Sequence, residues 1–231
     1  MARFRVLLLD LDDTVYPAGT GLWEAIGDRI NRFMVEAAGI DPAAASTLRQ
    51  EYFERYGTSL NGLRLHHGID PFDYLGYVHD LPLDQYLKPD PRLRRMLTQL
   101  SFPAIIFTNA DVAHARRVLK ALGVDDLIEQ IVDIVALEWV NKPQPEAYRK
   151  AMALCGVDQA GSYLVVDDQL RNLLPAAALG MGTVLVGGSA PADGIDARIA
   201  SASDLLEAFP ELSRSSSPRT PLSPSGRGDK R

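Results

Sequence analysis

Cysteine is nearly absent. Cys155 is the only one in 231 residues, so no internal disulfide can staple the fold. It sits in a helical apolar pattern and reads as a small buried hydrophobe. Long apolar runs are missing as well, and none approaches the roughly 20 residues that a membrane helix needs. Positive charge is in deficit: 24 Lys and Arg stand against 30 Asp and Glu, for a net charge of −6. That balance argues against a general nucleic-acid binder. No His/Cys grouping resembles a zinc site. Met1-Ala2-Arg3-Phe4-Arg5 reads as entering a first strand directly, with no cleavable signal, so a cytoplasmic protein is expected. What is present is ordinary: 46% hydrophobic and 23% charged residues, in a chain long enough for one large domain plus an insertion.

The most informative stretch is Val6-Leu7-Leu8-Leu9-Asp10-Leu11-Asp12-Asp13-Thr14. An apolar run of this kind reads as a strand buried on both faces, as in parallel sheets. Carboxylates crowded at its end repel one another and raise each other's pKa unless a cation neutralises them. A divalent metal is therefore expected there.

Further strands are predicted at 104–108, 131–135, 163–167 and 183–186, alternating with helices near 91–99, 112–122, 145–155 and 170–178. Pro145 suits a first helical position, and Gly123, Gly156 and Gly180 suit helix ends. This alternation predicts an α/β fold, a Rossmann-like doubly wound parallel sheet covered on both faces. One segment breaks the rhythm. Between Tyr16 and Pro89 no good strand occurs, while 22–37, 43–56 and 71–79 carry helical patterns. The expected organisation is a core of residues 1–15 and 90–211, a helical cap of 16–89, and a tail of 212–231. The tail is Ser-, Pro- and Gly-rich with a net charge of +4 and reads as disordered.

Ligands of open parallel sheets bind outside the carboxyl ends of the strands. Those ends carry Asp10-Leu11-Asp12-Asp13-Thr14, Thr108-Asn109 and Asp167-Asp168, the last followed by Asn172. Lys142 stands just ahead of the Pro145 helix. Carboxylates, a hydroxyl and an ammonium converging on one edge suit phosphoryl transfer.

These residues resemble the haloacid dehalogenase-like (HAD) hydrolase superfamily. Asp10-x-Asp12-x-Thr14, Thr108 after a buried strand, Lys142 and the Asp167-Asp168 pair match its four motifs in order, over about residues 4–188. Several segments look like its pyrimidine 5′-nucleotidase-like branch. They include Asp12 to Pro17, Tyr56 to Leu63, His67-Gly68-Ile69-Asp70, Tyr77 to Pro82 and Phe107-Thr108-Asn109-Ala110. The resemblance implies a Mg²⁺-dependent phosphomonoester hydrolase that forms an aspartyl-phosphate and acts on a small phosphorylated metabolite such as UMP or CMP. It implies Asp10 as nucleophile and Asp12 as general acid and base. Thr108 and Lys142 would stabilise the phosphoryl oxygens, and Asn109 would contact phosphate. Magnesium would be held by Asp10, the Asp12 carbonyl and Asp168, with Asp167 behind it; the last two can exchange roles. Asn172 would orient a metal-bound water.

The cap is less legible. Tyr52, Tyr56, His66, His67, Tyr74 and Tyr77 supply rings for stacking on a base, although aromatics at helical spacing more often pack a core. His67, read as lying in a Gly-rich loop region, is the favoured substrate contact, while His79 and His114 read as structural or solvated. Rival readings are a broad sugar-phosphate or small-metabolite phosphatase, a phosphomutase and a non-catalytic binding protein. Asp12 argues against a metal-free carbon–halogen hydrolase, because such enzymes of similar fold lack that second aspartate. Oligomeric state is not readable from the sequence.

Overall fold

The computed structural model describes residues 3–188 and 193–213. Apart from Leu212 and Ser213, the predicted tail lies outside the described residues. Strand β1 (Val6–Leu9) is fully buried. Val6 and Leu8 pack into one apolar cluster and Leu7 and Leu9 into another, because successive side chains leave a strand on opposite faces. The sheet is thus covered on both sides.

After β1 the chain forms four helices, α1 (Leu22–Glu36), α2 (Pro42–Tyr56), α3 (Ser59–His67) and α4 (Pro71–Val78). It returns through α5 (Pro91–Gln99) to β2 (Ala104–Phe107), α6 (Val112–Leu122) and β3 (Ile128–Val132). Next come α7 (Pro145–Cys155), β4 (Tyr163–Asp167), α8 (Leu170–Ala178), β5 (Gly182–Val186), β6 (Ala197–Ile199) and the short α9 (Leu205–Ala208). The strands lie in the order β3-β2-β1-β4-β5-β6, and every pairing is parallel. The α/β, doubly wound sheet expected from the sequence is the one observed. From β1 the chain first builds outward through β2 and β3, then crosses back to build β4, β5 and β6 on the other side. That reversal opens a crevice between the carboxyl ends of β1 and β4, where such sheets bind ligands.

Local chemistry explains the helix starts. Asp41, Asp70, Asp90 and Asp111 each accept a hydrogen bond from a first-turn amide, and proline follows the first three. Four elements differ from expectation. Strand β3 lies three residues earlier than predicted. Asp133 ends it by accepting the amide protons of Val112 and Ala136, which turns the chain. Helix α3 lies where the sequence predicts no helix. Thr58 caps it through the Asn61 amide, and Gly62 lets it close onto the Tyr52 ring, which a Cβ would meet at 2.3 Å. Strand β6 and the short α9 were not predicted.

Candidate active site

The pairing of β1 with β4 continues one residue past the strand, where the Asp10 amide donates to the Val166 carbonyl at 2.9 Å. This ladder carries Asp10 level with Asp167 and Asp168. Lys142, 1% exposed, reaches between them: its Nζ donates to Asp10 Oδ1 at 2.6 Å and to Asp167 Oδ2 at 2.7 Å. Burial alone would lower the Lys142 pKa. The two carboxylates outweigh it and hold the ammonium well above the ordinary lysine range. Thr14 Oγ1 donates to Asp10 Oδ2 at 2.9 Å and accepts from the Asp168 amide at 3.0 Å, tying the two strand ends together.

Carboxylate oxygens of Asp10, Asp167 and Asp168 lie within 4.8 Å of one another. One lysine does not neutralise them. Burial, and then the Asp167 and Asp168 charges, push the Asp10 pKa well up despite Lys142. Burial and Asp167 push Asp168 up to about 6. Asp13 is pushed to about 6 by burial and by Asp168, and its buried Oδ1 has no hydrogen-bond partner among the described residues. A hard oxygen donor set with surplus negative charge fits a magnesium ion. Within that set Asp167 is already engaged. Its oxygens accept from Lys142, the Gln169 amide and both contacts of Asn172 Nδ2. Asp10 and Asp168 are the freer carboxylates. The Asn172 side-chain amide is directed at Asp167.

Asp12 stands apart from this cluster. Its Oδ1 accepts from Tyr16 Oη at 2.7 Å and pairs with His114 Nε2 at 2.9 Å. Burial alone would raise its pKa, but the His114 ring and these bonds outweigh that and hold the carboxyl below its ordinary value. Thr108, 2% exposed, lines the cavity, and its hydroxyl accepts the Ala110 amide proton at 3.0 Å. Asn109 grips the Lys142 main chain at both ends, donating to its carbonyl at 3.0 Å and accepting from its amide at 2.9 Å. It positions the lysine as well as facing the cavity.

The structure gathers Asp10, Asp12, Thr108, Asn109, Lys142 and Asp168 around one cavity of about 280 Å³. His67 is not among the lining residues. It lies on α3, not in a loop, and its Nε2 pairs with Tyr52 Oη at 2.9 Å, away from the cavity. Of the cap rings singled out for stacking, only Tyr74 faces the cavity; Tyr52, Tyr56 and His66 pack on one another. Sequence reasoning missed Arg49, Gln50 and Phe53, which line the wall from α2. It also missed Tyr16 and His114 as partners of Asp12. Tyr16 was detectable as a ring four residues after Asp12, whereas His114 carries no local signal.

Comparison with known proteins agrees with this geometry. The chain is 30% identical over 195 residues to phosphate metabolism protein 8 of Saccharomyces cerevisiae, a match covering 78% of this chain and 61% of the yeast protein. It is 26% identical over 199 residues to glyceraldehyde 3-phosphate phosphatase of Pyrococcus abyssi, covering 78% and 80% of the two chains. A crystal structure of a HAD phosphatase from Thermococcus onnurineus shares the fold, with TM-score 0.60 and 19% identity over 89% of this chain and 97% of that one. The family model for haloacid dehalogenase-like hydrolases matches residues 4–180, the span that holds every strand-end group described above, and the chain belongs to that family.

Proposed function

We propose that this chain is a magnesium-dependent phosphoric monoester hydrolase working through an aspartyl-phosphate on Asp10, with pyrimidine nucleoside 5′-monophosphates as preferred substrates. The observation that carries the reading is the buried bridge Asp10–Lys142–Asp167 beside Asp168, at the carboxyl edge of β1 and β4. A carboxylate is a poor nucleophile towards a phosphate dianion unless positive charge screens the approach. Lys142 supplies one charge. Asp10, Asp168 and the Asp12 carbonyl would hold the magnesium, with Asp167 behind them. When bound, that ion would neutralise phosphoryl oxygens and orient the ester.

The residues then divide the work. Asp10 attacks phosphorus, and the ester bond to the leaving oxygen breaks. Asp12, in its protonated form, gives that oxygen a proton and then recovers one from the water that releases phosphate from Asp10. Lys142 and the Thr108 hydroxyl stabilise charge on the transferring group. Residues 16–89 act as a cap over a core of 1–15 and 90–211. The cap lends Trp23, Phe53 and Tyr74 to the cavity wall and excludes water from the reaction. These rings, and the segments resembling the pyrimidine 5′-nucleotidase branch, support a flat base as leaving-group end.

A second reading has its own support. The cavity sits at the low end of ligand-pocket sizes, roughly 300–1,000 Å³, and its wall carries the polar Arg49 and Gln50. The Pyrococcus relative is named for a three-carbon phosphate. Both features favour compact phosphoesters. The test is phosphate release from nucleoside monophosphates, triose and sugar phosphates and p-nitrophenyl phosphate, with Mg²⁺ and with EDTA, beside Asp10→Asn. Magnesium-dependent release that favours UMP or CMP and disappears in the variant supports the nucleotidase. A preference for compact esters favours the second reading, and no release from any ester rejects the phosphatase.

A further inference from the structure

Two donors converge on one oxygen of Asp12. Tyr16 Oη and His114 Nε2 both bond Oδ1, at 2.7 and 2.9 Å, and among the described residues Oδ2 has no protein donor. Asp12 faces the cavity, so Oδ2 is the oxygen left for exchange with a ligand. The two oxygens of a carboxylate are otherwise interchangeable, because its terminal torsion is broad and two-fold. Paired donors on one oxygen remove that freedom.

His114 is itself held from both sides. Its side chain is fully buried on α6. Its ring stacks on that of His79, at the end of α4, with centroids 4.0 Å apart and planes 15° from parallel. His79 Nδ1 bonds Asp111 Oδ2 at 2.8 Å, and Asp111 Oδ1 accepts the His114 amide proton at 2.8 Å. With its proton on Nε2 the His114 ring donates to the carboxylate. Its buried Nδ1, which has no partner among the described residues, then keeps only a lone pair and leaves no N–H unsatisfied.

We infer that His114 is a positioning residue for Asp12: together with Tyr16 it pins Oδ1 so that Oδ2 meets the leaving oxygen, and His79 braces it from the helical insertion. The inference rests on the proposed phosphatase reading, in which Asp12 Oδ2 passes a proton to the departing oxygen as the phosphorus–oxygen bond breaks. A misdirected carboxylate harms that transfer and leaves attack by Asp10 intact.

The leaving group separates the two cases. p-Nitrophenolate departs without a proton, whereas an alkoxide needs one. kcat/KM reports steps only as far as phosphoryl transfer to Asp10, so the later hydrolysis does not blur the comparison. The full chain with Mg²⁺ is assayed on p-nitrophenyl phosphate and on glycerol 2-phosphate, as wild type, His114→Leu, His114→Gln and His114→Asn, with Tm recorded for each. The glutamine amide reaches where Nε2 was, and the asparagine amide falls short. Expected is a loss of about a hundredfold in kcat/KM on the glycerol ester for Leu and Asn, the scale of general-acid catalysis. The aryl ester should lose less than about threefold, and Gln should recover most of the difference. If Leu fails to fold, the Gln–Asn pair carries the comparison. Equal losses on both esters, or none on either, overturn the inference and leave His114 a packing residue. A wild type that hydrolyses neither ester defeats the phosphatase reading itself, and the inference with it, before any variant is compared.

Discussion

Replacing Lys142 by methionine leaves Asp10 and Asp167 without their shared counter-charge, in a site where Asp167 is fully buried. Breaking a buried ion pair from one side costs about 3–5 kcal/mol. Urea unfolding in EDTA should show that loss for Lys142→Met, and an unchanged midpoint would mean that the carboxylates are not held ionised by the lysine. The surplus carboxylates make a second prediction. A ligand that binds only the folded state stabilises it by about 2.7 kcal/mol at 100 times its Kd. Magnesium should therefore raise Tm, and Asp168→Asn should remove most of the rise; a rise that survives the substitution places the ion elsewhere. Much of this site was legible in the sequence because each group follows a buried apolar strand or stands in a short motif, as Asp10, Thr108, Lys142 and the Asp167-Asp168 pair do. The His114–Asp12 contact was not, since 102 residues separate the partners and only the sheet order brings them together. His67 was misplaced for a related reason. Its Gly-rich neighbourhood looks like loop, yet Gly62 is there to let α3 pack on Tyr52.

Caps show how far local chemistry reaches at the scale of the element. Helices with an aspartate cap and a following proline, α2, α4 and α5, began within a residue of where they were predicted. Strand β3 did not, because its end is set by Asp133 bonding to the start of α6, a tertiary contact that no short window contains. The cap of α6 does more than start a helix. Asp111 accepts the His114 amide with one oxygen and His79 with the other, so it also fastens the end of α4 to the core. Arg117 of α6 reinforces the same junction by donating to the His79 carbonyl at 2.8 Å. Burial alone would raise the Asp111 pKa, but the His79 bond and charge outweigh it and lower the group to about 2. A carboxyl depressed on folding adds stability above its unfolded value, near 4, and loses it as pH falls towards 2. The full depression is worth about 2 kcal/mol where His79 is protonated; burial and His114 lower the His79 pKa, so at neutral pH the hydrogen bond carries what remains. Asp111→Asn should be less stable by up to that order in urea at pH 7. The gap should narrow as pH falls from about 4 towards about 2, since the amide does not titrate. A gap independent of pH would mean that the carboxylate acts only through helix-cap geometry.

At the scale of the whole molecule, the helical insertion touches the core beside the lysine. Gly57, the C-cap of α2, sits at φ +83° with its α-carbon facing Asn141 and Lys142. A Cβ there would lie 2.0 Å from Asn141 Nδ2 and 2.8 Å from the Lys142 carbonyl oxygen. Asn141 cannot swing aside freely. It is fully buried, its Nδ2 donates to the Lys142 carbonyl, and its Oδ1 accepts from Asn61 of α3 and from Gln144. The insertion and the loop that carries Lys142 are thus one packed unit, and a change on the helical side should be felt at the ammonium. Gly68, the C-cap of α3, provides the control: its φ of +64° is equally left-handed, but among the described residues no atom lies within 4 Å of where a Cβ would stand. Both Gly57→Ala and Gly68→Ala should lose about 1–2 kcal/mol to the left-handed backbone conformation alone. Only Gly57→Ala should also push the lysine loop away from Asp10, and a displacement of about 1 Å at a reacting group costs up to about a hundredfold in rate. The expected result is a kcat/KM lower by at least about tenfold in Gly57→Ala, with Gly68→Ala close to wild type at a temperature where both are folded. Equal activity in the two variants would mean that the insertion merely rests on the core at this point and leaves the placement of Lys142 to its partners within the core.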